Sequence, residues 1–257
     1  DLVRSRGLGD VYKRQALDSA IGKATADYAF KDSGKIGKFG VIAMDDPYGR
    51  GVAGAFSNRA IQLGGTKISE VYYASGKSDF RAEITALFPE KLDTVFSVVW
   101  ELDAKIIFKN AYELGFYEAH KGHWYTPYIS DSVVTPDPIT IEGLKGIDPS
   151  FATERGADFV KRVLAKDPKL VQPGYYPVKA YDAWQVAITA INLAGSDNPA
   201  QIDAKLSLAM NMVMGLAGPR AVDKNGQPLF ETFSIVEYKN GKLVELGKLT
   251  VETPGPT

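Results

Sequence analysis

The chain has 257 residues, 45% of them hydrophobic and 24% charged, enough apolar material to bury a full core in one or two globular domains. Its formal net charge of -1 gives no basis for binding nucleic acid or an anionic membrane surface, which both need clustered lysine and arginine. Cysteine is absent, which removes disulfides, thiol nucleophiles and cysteine-ligated metals and leaves the redox compartment open, and no apolar run approaches the ~20 residues of a membrane span.

The first residues stand apart. Ser5 to Gln15, SRGLGDVYKRQ, resembles the translation of a transposase mosaic-end sequencing adaptor, and residues 1–15 are set aside from fold reasoning as an artefactual tail. A natural basic tail is the alternative. With the adaptor reading, the expectation is a gene that extends upstream, so the missing signal peptide carries no information about location.

Ala16 to Phe30 has Ala, Ile and Tyr at helical spacing and runs into Asp32-Ser33-Gly34, a helix stop. Lys38 to Met44 follows as a strand whose run FGVIAM lacks alternation and so fits a strand covered on both faces. Gly49 to Leu63 is the next helix, ended by Gly64-Gly65, and Thr66 to Tyr73 the next strand. Asp79 is placed as the N-cap of a helix to Phe88, Thr94 to Val99 as a third strand, and Asp103 to Leu114 as a helix closed by Gly115. Strands alternating with helices point to right-handed βαβ units around a parallel sheet.

Beyond Gly115 the order loosens. A short strand at Trp124 to Tyr128 precedes the Pro-interrupted loop SDSVVTPDP and an extended piece around Leu144 to Ile147, a candidate crossover between lobes. Thr153 to Lys166 reads as an amphipathic helix, and Pro177 to Ala194 as a more apolar one with Ala180, Trp184, Ala187, Ile188 and Ile191 along one side. Asn198 or Pro199 opens a third helix to about Ala209. Phe230 to Leu249 is a hairpin turning at Asn240-Gly241.

Gly49, Gly51 and Gly54 spell G-x-G-x-x-G, which in the right setting cradles a dinucleotide pyrophosphate on a helix N-terminus. In a Rossmann unit the first glycine follows the strand end almost at once and an acid at the end of the next strand takes the ribose; here Asp45 to Tyr48 intervene, and the next strand's acid, Glu70, lies mid-strand. A tight turn with close helix packing accounts for the glycines instead. Gly22-Lys23-Ala24-Thr25 lacks the upstream glycine of a phosphate loop and falls within a helix. His120 and His123, the 2 histidines, sit in a loop with no third ligand evident, which favours a solvated loop over a metal pair and disfavours a Ser-His-Asp site.

One constellation rises above this background. Ligands of open α/β sheets gather at the carboxyl ends of the strands, and those ends carry Asp45, Asp46 and Tyr48, then Trp100 and Glu101, then Tyr128 and Asp131. Aromatic rings there stack on or enclose a small molecule, each worth ~0.5 to 1.5 kcal/mol beyond area burial.

The succession of a strand with DDPYGRG, then SGKSDFRAEI, VFSVVWELDAKIIFKNAYELG, GYYPVKAYDAWQVAITAINLAGS and GPRAVDKNGQPL resembles the periplasmic branched-chain amino-acid (Leu/Ile/Val) binding proteins, type I solute-binding proteins of ABC importers, over Leu17 to Leu249. The resemblance implies an α/β fold of the type I periplasmic-binding-protein kind, a parallel sheet flanked by helices, in which two lobes joined by three crossovers close on a ligand without catalysis or cofactor. One nearly complete C-terminal lobe (16–150 and 230–249) plus part of an N-terminal lobe (151–229, its first βαβ units absent) is expected. Carried over by position, Tyr48 and Trp100 contact ligand from one lobe and Tyr176 from the other. The family's amine-binding carboxylate falls near Tyr128, with Asp131 the nearest acid, and Asp45, Asp46 and Glu101 are secondary candidates.

The implied function is an extracytoplasmic, periplasmic solute-binding component that captures a small amino-acid-like or amide ligand and delivers it to ABC permease subunits, meeting the membrane only through the permease or a lipid anchor. Two alternatives stay open: a Rossmann-like nucleotide-binding enzyme using Gly49, Gly51 and Gly54, and the ligand-binding domain of a sensory receptor. With an opposing lobe incomplete, ~8 kcal/mol for a micromolar binder falls to ~4, near millimolar. The Trp184 helix would then lack the sheet it covers, leaving an apolar face prone to association.

Overall fold

Strand β1 (Lys38–Met44) has an unbroken buried centre, the pattern of a strand covered on both faces, and its neighbours explain the cover. In the computed structural model, which describes residues 18–133, 136–148, 153–167, 175–216 and 229–252, β1 pairs in parallel with β2 (Thr66–Tyr73) on one side and β3 (Thr94–Val98) on the other. Strands β4 (Trp124–Pro127) and β5 (Lys145–Asp148) extend the parallel run, and the hairpin of β6 (Phe230–Lys239) and β7 (Lys242–Glu252) adds antiparallel strands, giving the order β2-β1-β3-β4-β5-β6-β7.

Two compact units divide the chain. One comprises Asp18–Asp148 with Ser234–Leu249, the other the described residues of 149–233 with 250–252.

In the first unit, side-chain alternation sends Phe39 and Phe96 toward helix α2 (Pro47–Gln62), where Phe56 packs edge-on to Phe39 and stacks on Phe96 with centroids 4.0 Å apart. Helix α1 (Asp18–Ser33) lies across α2. Gly22 allows that crossing: a Cβ there would come within 2.4 Å of the Val52 carbonyl oxygen and 2.6 Å of the Phe56 nitrogen. So Gly22 is ordinary helix with a packing role. The opposite sheet face is covered by α3 (Arg81–Leu87), α4 (Glu101–Glu113) and α5 (Phe116–Ala119), around an aromatic group in which Trp124 meets Phe88, Phe108 and Tyr117 and donates its indole N–H to Ser97 Oγ at 2.9 Å. The result is a three-layer α/β unit, a mostly parallel sheet flanked by helices.

Several local expectations shift. Helix α3 is capped by Phe80 rather than Asp79, whose carboxylate accepts the Arg81 N–H at 2.9 Å and also pairs with the Arg81 guanidinium. Helix α4 starts at Glu101 rather than at Asp103, whose buried carboxylate accepts the Ser75 hydroxyl and the Gly76 N–H, pinning the loop after β2. His120 is not in a solvated loop. It is 5% exposed, stacks beside Phe88 at 4.7 Å and contacts the Phe116 carbonyl through Nδ1 at 2.7 Å, and burial lowers its pKa. The aromatic group formed by elements distant in sequence draws it in. Asn240 and Gly241 both have positive φ, as a two-residue hairpin turn requires.

In the second unit, α7 (Glu154–Lys166) is capped by Thr153. Helices α8 (Tyr175–Ala194) and α9 (Pro199–Met212) form a hairpin around Ala183, Val186, Ala190, Ile202, Leu206, Ala209 and Met210. Asn198 caps α9 by accepting from the Ala200 and Gln201 amides. The stripe of Trp184, Ile188 and Ile191 lies outside that core and is exposed. Among the described residues no helix is long and apolar enough to cross a membrane.

Candidate ligand site at the carboxyl ends of the strands

The chain leaving β1 turns to β2 on one side, and the chain leaving β3 turns to β4 on the other. Such a divergence opens a crevice above the sheet, where open α/β folds bind ligands. A short helix-capping loop places the first side chain there. Asp46 caps α2 by accepting the Gly49 N–H at 2.6 Å, and Pro47 starts the helix with a preset φ. Tyr48 is therefore held in the first turn of α2. Trp100 is the N-cap of α4. The two rings meet at the divergence, centroids 5.3 Å apart and planes tilted by 42°.

The flanking acids are engaged. Asp45 donates its N–H to the Tyr73 carbonyl at 2.8 Å, and its carboxylate accepts from Arg50 Nε at 2.7 Å; the Arg50 guanidinium in turn lies 4.2 Å over the Tyr72 ring. Below them Tyr73 is fully buried, and burial, followed by the nearby Asp103 charge, pushes its phenol pKa up. The loop is thus braced, with Tyr48 half-buried in the first turn of α2.

Tyr128 follows β4 in the left-handed region, φ 46° and ψ 54°, and caps the single turn α6 (Ile129–Ser132). Ser132 fastens this turn to the neighbouring loop: its hydroxyl donates to the Val99 carbonyl at 3.3 Å and lies 3.3 Å from Thr126 Oγ1. Asp148, fully buried at the end of β5, accepts the Ser130 N–H at 3.1 Å. The ends of β1, β3, β4 and β5 form one connected rim. Within it Tyr48 and Trp100 touch, and Tyr128 joins them through Ser132 and Val99. Asp131 lies in α6 and Glu101 begins α4, but their side chains are outside the described residues, as is that of Tyr176 in the first turn of α8.

Ser130, Ser132, Asp103 and Asp148 were not legible as site supports. The one available signal was an acid closing the apolar strand piece Gly146-Ile147-Asp148.

The glycine fingerprint has another explanation. All three glycines lie inside α2. A Cβ on Gly49 would sit 2.1 Å from the Met44 carbonyl and one on Gly51 2.7 Å from Asp18 Oδ2, whereas Gly54 faces open space. His120 and His123 line a cavity of about 340 Å³ with Lys35, Lys91 and Asp93, beside the amino ends of the strands. Among the described residues no group of three or more His, Asp or Glu is arranged to hold a metal ion.

The fold is thus a mostly parallel α/β sheet with the rings of Tyr48 and Trp100 meeting where its connections diverge. The chain belongs to the periplasmic binding protein family, whose model matches residues 12–242. It is 26% identical over 253 residues to Leu/Ile/Val-binding protein homolog 3 of Brucella melitensis, covering 95% of this chain and 65% of that protein. Among solved structures it is similar in fold to the leucine binding protein LivK of Thermotoga maritima (TM-score 0.73, 24% identity, 90% of this chain and 65% of that one). A solute-binding protein of an ABC transporter from R. palustris in complex with benzoate is similar to the same degree (TM-score 0.73, 19% identity, 90% and 63%). The LivJ protein of Streptococcus pneumoniae in complex with isoleucine also matches (TM-score 0.75, 18% identity, 92% and 66%). The chain thus spans about two thirds or slightly less of the length of each of these proteins.

Proposed function

We propose that the chain is part of an extracytoplasmic solute-binding component of an ABC importer, which holds a small ligand by hinge closure and hands it to permease subunits without chemical change. The observation that carries this reading is the Tyr48–Trp100 ring pair at the sheet's divergence, in a chain of the periplasmic binding protein family. The first unit acts as one lobe and the second contributes to the other. Within residues 18–252 the chain passes between them at Asp148/Pro149, Phe233/Ser234 and Leu249/Thr250, few enough passages to serve as a hinge. Tyr48 and Trp100 sandwich the ligand, Tyr176 meets it from the second lobe, and Asp131 accepts a hydrogen bond from an amine or amide.

The ligand is amino-acid-like or an amide. A second reading, an aromatic carboxylate, is favoured by one feature: the two described acids beside the Tyr48–Trp100 pair are already engaged, Asp46 in capping and Asp45 with Arg50. The discriminating experiment titrates the purified chain with L-leucine, L-isoleucine, an amide of each, and benzoate, following the Trp100 indole resonance. Saturable shifts with any member of the panel support the reading. Absence of any shift across this panel, together with NADH perturbing the Gly49–Gly54 amides, would overturn the reading in favour of a nucleotide site.

A further inference from the structure

Tyr128 and Asn240 are the non-glycine residues with positive φ among those described. Asn240 is in a hairpin turn, where asparagine tolerates that conformation. Tyr128 has no such excuse: a ring-bearing residue in the left-handed region is strained and persists only when its surroundings over-determine it. Strand β5 supplies the constraint. Its Gly146 approaches so closely that a Cβ would lie 2.3 Å from the Thr126 carbonyl oxygen and 3.0 Å from Ile129 Cβ. Two residues further along the strand, Asp148 accepts the Ser130 N–H at 3.1 Å with its side chain fully buried. One strand thus grips the turn on both sides of Tyr128, by backbone contact before it and by a carboxylate after it.

We infer that Asp148 is a positioning residue for ligand binding: through the Ser130 amide it holds Tyr128 in its left-handed conformation and so sets where the Tyr128–Asp131 turn stands beside Trp100. The inference rests on the proposed binding function for its purpose, but its physical core, the dependence of Tyr128's conformation on Asp148, stands apart from any ligand. An ordinary buried carboxylate stabilises the fold irrespective of residue 128. A positioning carboxylate matters less when residue 128 takes the left-handed region unaided, as glycine does.

The test compares Asp148→Ala, Asp148→Asn, Tyr128→Gly and the Tyr128→Gly/Asp148→Ala double variant. Losing a charge-assisted bond speeds exchange of the Ser130 amide about tenfold or more in Asp148→Ala, while Asp148→Asn, which keeps an acceptor oxygen, stays within about threefold of the parent. The unfolding cost of Asp148→Ala is smaller in the Tyr128→Gly background than in the parent. Additive costs, unchanged Ser130 exchange, or failure of the single and double variants alike to fold would each overturn the inference. In the ligand arm, L-leucine and benzoate titrated against the Trp100 indole bind Asp148→Ala about tenfold more weakly, with binding restored in Asp148→Asn. Coupling without binding by the parent protein removes the importer reading and leaves the Asp148–Tyr128 relation standing. Binding by the parent that Asp148→Ala leaves unchanged overturns the positioning role.

Discussion

The rings of Tyr48 and Trp100 lie 5.3 Å apart where the connections after β1 and β3 diverge, and this contact makes Trp100 a reporter of the site. Of the 3 tryptophans, Trp124 is fully buried and Trp184 is 67% exposed. In a Trp184→Phe variant, accessible emission therefore comes from Trp100. Tyr48→Ala in that background raises the acrylamide quenching constant and shifts emission to the red, because one side of the indole is uncovered. Unchanged quenching would mean that the ring pair does not persist in solution.

Two helical glycines are expected to respond oppositely to alanine. At Gly22 a Cβ would press on the backbone of Val52 and Phe56, which cannot step aside as a side chain can, so Gly22→Ala destabilises by about 2 to 3 kcal/mol. At Gly54 nothing lies within 4 Å of the added carbon, so Gly54→Ala stabilises by up to about 1 kcal/mol through helix propensity. Urea denaturation of the two variants checks both signs.

His120 introduces a pH dependence whose sign follows from its burial. Desolvation holds its folded pKa below 6.5, reinforced by the Lys91 and His123 charges and opposed by the Phe116 and Leu92 carbonyls. Below that pH the unfolded chain binds the proton more readily than the folded one, so stability is lost as pH falls and is fully present above about 6.5. The stability of the parent relative to His120→Gln should be flat from pH 7 to 8 and decline from pH 6.5 to 5. A difference that grows on acidification would show the opposite shift.

The stripe of Trp184, Ile188 and Ile191 on α8 is 67%, 46% and 44% exposed. Helical spacing places the three side chains on one face, and contiguous apolar surface of this kind favours association. Trp184→Lys with Ile188→Lys is expected to lower the sedimentation coefficient at high protein concentration toward the monomer value. Equal sedimentation of variant and parent would show that the face tolerates solvent.

Sequence pattern by itself determined the strands best. Lys38–Met44 and Thr66–Tyr73 have the expected bounds, because an apolar run ended by polar loop residues leaves little choice of register. It also determined the α/β class, the hairpin at Asn240-Gly241, and the gathering of Tyr48, Trp100 and Tyr128 at strand ends, since alternating strands and helices oblige every such loop to leave the same edge of the sheet. Helix starts were less legible. Asp79 has the chemistry of a cap but bonds to Arg81, and Asp103, where a helix start is expected, ties the Ser75-Gly76 loop instead. Only the tertiary structure decided which strand lies beside which. That order turned two separate aromatic residues into the Tyr48–Trp100 pair, buried His120, and set Asp148 against Ser130. Each of these depends on contacts between segments far apart in sequence, and neither local propensity nor periodicity records which distant backbone will arrive to complete them.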